Sequence, residues 1–168
     1  PQVLTGVNSF LDWVEGHKVK FVFSERLIYS KDYDYVGTLD LGFTMGNSED
    51  LYLGDNKTGN QLYPEVKAQT AAYLKADQEE SDRKYKGRWA IRISKETEEE
   101  YIKRMEEKGL TEYPVYKVFE AIYLDDDATT LNRDFLGFLD ALKLYRWQQT
   151  ADNEMKALKE PKKEAVPT

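Results

Sequence analysis

The spacing of hydrophobic positions changes character several times along the chain, and each change predicts an element. Residues 10–14 (FLDWV) read as the end of a short amphipathic helix closed by Gly16. Residues 18–29 (KVKFVFSERLIY) are rich in β-branched and aromatic side chains and predict a strand. A charged turn at 31–34 (KDYD) leads to a second strand at 36–44 (VGTLDLGFT). Gly46, Asn47, Ser48 and Glu49 supply turn chemistry before a third strand at 51–57 (LYLGDNK), which Thr58, Gly59 and Asn60 break. A helix is expected over 64–76, with Pro64 near its start, where a missing N–H does no harm. Residues 88–94 (RWAIRIS) alternate as a strand. Thr97 and Glu100 make a capping-box pattern that opens a short charged helix, stopped by Gly109. Residues 115–124 (VYKVFEAIYL) predict another strand. Leu131, Phe135, Phe138, Leu139, Leu142, Tyr145 and Arg146 mark a long helix over 130–157. This order predicts an α/β fold, a central mixed β-sheet flanked by α-helices.

Composition narrows the function classes. A chain of 168 residues with 40% hydrophobic and 13% aromatic positions can bury one real core and is too short for two ordinary domains. No internal repeat or interdomain linker is visible. The expectation is a single domain over 1–158 and a disordered Lys/Glu/Pro-rich tail over 159–168. The net charge of −7 excludes a uniformly basic nucleic-acid coat but leaves room for a local basic strip. The lack of cysteine excludes disulfides, zinc–thiolate sites, iron–sulfur clusters and thiol nucleophiles. A single histidine, His17, excludes a multi-histidine metal site. No apolar run approaches the roughly 18 residues of a membrane helix. The first ten residues lack a charged region followed by an apolar one, so no signal peptide and a cytoplasmic location are expected.

The stretch from Gly37 to Tyr73 carries the chemistry. In a hairpin centred between Asn47 and Ser48, opposed residues carry numbers that sum to 95, which sets Asp40 opposite Asp55. Cross-strand partners lie about 4.5–5.5 Å apart, so the two carboxylates share one face, and Lys57, two residues past Asp55, joins them. Two close carboxylates repel unless a cation lies between them. A hard divalent ion with oxygen ligands, Mg²⁺ or Mn²⁺, is the natural occupant. The plainer reading is a structural salt-bridge group at a sheet edge. It is disfavoured because opposed like charges destabilise a hairpin. Gln69 and Tyr73 are four apart on the expected helix and point the same way, which brings an amide and a phenol toward the acids if the helix packs beside the hairpin.

Gly37-Thr38-Leu39-Asp40, then Asp55-Asn56-Lys57-Thr58, then Gln69-x-x-x-Tyr73 resembles the PD-(D/E)XK nuclease superfamily, most of all its RecB-like exonuclease branch without an iron–sulfur cluster. The resemblance covers about residues 21–73 in motif and order, with a similar but weaker pattern beyond. It implies a restriction-endonuclease-like core and a Mg²⁺- or Mn²⁺-dependent DNA nuclease, an exonuclease, acting in recombination, repair or phage DNA processing. It implies metal ligation by Asp40, Asp55 and the backbone carbonyl of Asn56, with Glu25 as an outer ligand. Lys57 would orient or help deprotonate the attacking water, and Gln69 and Tyr73 would steady the site and the DNA backbone. Relatives usually carry an N-terminal helix ahead of the first strand, often with a Gly-x-x-x-His-like element that supplies another ligand. Here His17 lies in a Gly-His-Lys link, so either that element lies upstream of Pro1 or the chain lacks it. The alternative implied by that departure is an inactive nuclease-fold module that binds DNA ends or a protein partner, such as a recombination or replication protein. A third reading is a metal-dependent hydrolase of small phosphate esters.

For DNA, the chain offers one basic strip. Arg83, Lys84, Lys86, Arg88 and Arg92 are uninterrupted by an acid, with Trp89 interleaved, and Lys67, Lys75 and Lys95 extend the set. The competing reading is an exposed loop that enters a strand.

Overall fold

Five strands and four helices follow the chain in the order α1 (Gln2–Gly16), β1 (Lys20–Ser30), β2 (Tyr35–Thr44), β3 (Leu51–Lys57), α2 (Glu65–Glu80), β4 (Tyr85–Ile93), α3 (Glu98–Glu107), β5 (Phe119–Tyr123) and α4 (Thr130–Lys159). They are taken from a computed structural model that describes residues 2–125, 127 and 129–159. The strands form one sheet in the order β1-β2-β3-β4-β5. The β1–β2, β2–β3 and β4–β5 pairs are antiparallel and β3–β4 is parallel, so the protein is α/β with a mixed sheet. A parallel neighbour requires a crossover, and α2 supplies it.

The sheet is covered on both faces. Ile28, Tyr35, Leu39 and Leu53 pack against Ala71, Ala72, Leu74 and Ala76 of α2 and Phe135 of α4. The alanines of α2 let that helix lie close to the strands. On the opposite face, Trp13 of α1 meets Phe43, Trp89 and Phe119 with ring centroids 5.7–6.2 Å apart. Burial of this aromatic area is the main stabilising term on that side.

Several sequence expectations shift at their edges. The N-terminal helix is a full element of 15 residues rather than a short end at 10–14. Gly6 fits it against β4, since a Cβ there would lie 2.5 Å from Cγ2 of Ile93. The last strand is limited to Phe119–Tyr123 because its partner β4 ends at Ile93, opposite Phe119. Residues 115–118 are spent otherwise: the Tyr116 ring packs at a tilt against Tyr101 of α3, whose hydroxyl donates to the Pro114 carbonyl. The capping box at Thr97 and Glu100 forms as expected. The expected tail lies outside the described residues from 160 on, while Lys159 closes α4. Among the described residues, no helix is long and apolar enough to cross a membrane.

Candidate active site

The hairpin register is the expected one: Leu41 faces Gly54, Gly42 faces Leu53 and Phe43 faces Tyr52. The ladder stops there, one pair short of Asp40 and Asp55. Instead of a backbone bond, the Asp40 carboxylate accepts from the backbone N–H of Asn56 at 2.7 Å. The strands therefore fork at the acids. The fork has a cause in side-chain alternation. Leu39 packs toward α2, but Phe43, four residues on, packs toward Trp13 of α1. An unbroken strand would keep both on one face, so the alternation slips between them, where Asp40 lies. On the neighbouring strand, Glu25 adopts a φ of 49° between the paired residues Ser24 and Arg26. Such a φ is uncommon for a residue with a side chain, and it falls opposite Asp40, between the pairs Ser24–Leu41 and Arg26–Leu39.

Asp55 is the buried member of the pair, 2% exposed. Lys57 Nζ lies 2.7 Å from its Oδ2 and donates to Gln69 Oε1 at 2.9 Å. Gln69 Nε2 in turn donates to the Tyr73 hydroxyl at 2.7 Å. Thus β3 and α2 build a continuous chain, Asp55–Lys57–Gln69–Tyr73, that fixes the ammonium in place. Gly37 makes room for its last member: a Cβ there would lie 2.5 Å from Tyr73 Cε1. Burial pushes the Asp55 carboxyl above its ordinary pKa. The hydrogen bond and charge of Lys57 pull it back in part, and the negative charge of Asp40 pushes it up again. Oδ2 is also fully buried without a hydrogen bond of good geometry. Its charge is balanced at close range by the Lys57 ammonium.

The donor set fits a hard divalent ion. Asp40, Asp55 and the carbonyl of Asn56 offer oxygen only, and Mg²⁺ commonly takes one or two carboxylates and keeps several waters. No group of three or more His, Cys, Asp or Glu side chains able to hold a metal is present among the described residues. Glu25 is exposed and its side chain makes no hydrogen bond or ion pair among them, and His17 only bonds the Trp13 carbonyl through Nδ1 at 2.9 Å. A cleft of about 330 Å³, lined by Lys57, Tyr63, Val66 and Gln69, opens beside the ammonium. A second cleft over α3 holds Arg92 and Arg104, but Glu120 and Glu96 neutralise both.

The basic strip is corrected by the structure. Arg88 is fully buried, bound to Asp125 and Asp134, and also donates to the Lys67 carbonyl at 2.7 Å. Arg92 is buried on Glu120 at 2.8 Å. Arg83 pairs with Asp77 at 3.2 Å. Trp89 packs between Trp13 and Tyr123, with ring centroids 5.7 and 5.3 Å away. Only Lys84 and Lys86 of the six remain exposed, and β4 places them level with Leu51 and Tyr52, at the end of the sheet away from Asp55. These residues do not form a DNA track at the fork. The physical reason is that long-range carboxylates claim them: Arg88 reaches α2 and is held by Asp125 and by Asp134 of α4, and Arg92 is held by Glu120, its cross-strand neighbour on β5.

Sequence reasoning missed Asp77. It is buried on α2 and receives Arg26 at 2.5 Å, Arg83 and the Tyr85 hydroxyl at 2.7 Å. Burial raises its pKa, but the bonds from Tyr85 and Arg26 and the charge of Arg83 outweigh that and hold it below the usual carboxylate range. This group locks α2 to β1 and β4. Comparison with protein-family models and with curated proteins gives no match, so the functional reading rests on the geometry of the fork.

Proposed function

We propose that the protein is a divalent-metal-dependent DNA nuclease of the RecB-like kind, acting at DNA ends. The observation that supports this most is the forked hairpin, where the Asp40 carboxylate accepts from the N–H of Asn56, next in the chain to the buried Asp55, and Lys57 is held between Asp55 and Gln69. Asp40, Asp55 and the carbonyl of Asn56 would hold Mg²⁺ or Mn²⁺, which would supply Lewis acidity for activating water at neutral pH and for offsetting phosphoryl charge. The protein's own groups do the rest. Asp40 and Asp55 provide the negative charge that holds the ion. Lys57 presents an ammonium that steers the attacking water and offsets the charge that develops on the phosphate oxygens. Gln69 and Tyr73 hold that ammonium within reach, which removes the entropy cost of positioning it.

The test is cleavage of end-labelled linear DNA and of circular DNA, with and without Mn²⁺. The expected result is metal-dependent loss of label from linear DNA. Asp40→Ala, Asp55→Ala and Lys57→Ala should each lower the rate by at least about a hundredfold without unfolding the protein. Equal cleavage by wild type and Asp55→Ala would reject the assignment. Faster hydrolysis of small phosphate esters than of DNA would favour a different phosphoesterase.

One observation favours a second reading, a nuclease fold that binds DNA ends without cutting them: the fork has two acids, and Lys57 already neutralises one. DNA binding indifferent to metal, with no cleavage, would select it.

A further inference from the structure

The longest helix extends past the body it packs on. Leu131, Phe135, Phe138, Leu139 and Leu142 seat α4 on the core, and Arg146 still reaches the Tyr33 carbonyl at 2.9 Å. No side chain from 143 to 159 is buried, a stretch of about 25 Å at 1.5 Å per residue. Within it, Leu144, Trp147, Met155 and Leu158 are 55%, 65%, 52% and 80% exposed. A free helix of this length is marginal in water and normally owes its stability to an apolar face packed on a partner.

The spacing of this face identifies the partner. Taking Ala151 as origin, five apolar positions fall at −7, −4, 0, +4 and +7 (Leu144, Trp147, Ala151, Met155, Leu158), while Tyr145 and Ala157, at −6 and +6, lie about 120° to either side. At 100° per residue all five lie within about 40° of Ala151. The pattern is the same read in either direction. A two-fold axis at Ala151 therefore brings Leu144 of one copy level with Leu158 of the other and Trp147 level with Met155. The smallest residue lies at the crossing, where the backbones must come closest. Arg146 and Lys156, at −5 and +5, point about 140° away, so pairing does not oppose these like charges. A surface that is its own complement is the requirement for an isologous dimer. We infer that the protein self-associates through antiparallel pairing of the 143–159 halves of α4 about Ala151.

The interface is small, so the affinity is expected in the micromolar range. Sedimentation of the full chain over about 1–100 μM should show a monomer–dimer equilibrium. The chain has no cysteine, which makes cross-linking clean. Ala151→Cys should form a disulfide-linked dimer on mild oxidation. Leu144→Cys alone should not, because antiparallel pairing sets the two sulfurs about 21 Å apart along the helices. An equimolar mixture of Leu144→Cys and Leu158→Cys should cross-link. Leu158→Glu, with unchanged helix content by circular dichroism, should be monomeric. A monomer at every concentration, a dimer that survives Leu158→Glu, or equal cross-linking by Ala151→Cys and Leu144→Cys alone would overturn the inference.

Discussion

Two buried carboxylates contribute to stability with opposite signs. Asp55 has its pKa raised in the folded state. Between the ordinary carboxylate pKa and that raised value the folded protein keeps a proton the unfolded chain has lost, so stability falls as pH rises through this window. Asp55→Asn is therefore expected to raise the melting temperature at pH 7 while it abolishes cleavage, and the gain should vanish below about pH 4, where Asp55 is protonated in both states. A melting temperature at pH 7 below that of wild type would contradict the assigned cost. Asp77 is the reverse, with its pKa held down in the folded state. Its contribution is present above the ordinary carboxylate pKa and fades as pH falls through the lowered one. Asp77→Ala strands Arg26, Arg83 and the Tyr85 hydroxyl and should cost about 3 kcal/mol in urea unfolding at pH 7, with the gap to wild type narrowing in acid.

At the scale of elements, α2 serves both the core and the fork, and its close fit to β2 depends on Gly37. Gly37→Ala should push the Tyr73 ring away, break its bond with Gln69 and release Lys57. The expected result is a ten- to hundredfold drop in kcat/KM for Mn²⁺-dependent cleavage, roughly, with the fold retained. Unchanged kcat/KM would detach the Gln69–Tyr73 pair from catalysis. Much of this arrangement is legible in the sequence. The turn at 46–48 fixes the hairpin register over Leu41–Phe43, and Asp40 and Asp55 follow one position beyond its last pair. The four-residue spacing of Gln69 and Tyr73 likewise sets them on one side of α2, where they also bond each other. What escaped is long-range. A run of basic residues has the same composition whether it faces solvent or a buried carboxylate. Asp125 and Asp134, which claim Arg88, lie 37 and 46 positions away. The fork itself also escaped, since the slip in alternation between Leu39 and Phe43 leaves no mark in residue type.

The whole molecule is a three-layer sandwich in which the β2–β3 ladder ends, on the side away from the turn, at two acids and an ammonium. Its net charge of −7 works against holding a polyanion, so productive contact with DNA depends on charge compensation at the fork. The most direct test is the melting temperature of wild type and Asp55→Asn as Mn²⁺ is titrated at pH 7. A ion that binds only the folded fork stabilises it by about 2.7 kcal/mol at a hundred times its Kd. The account predicts a saturable rise for wild type and none for Asp55→Asn. No rise in wild type, or the same rise in both proteins, would contradict it.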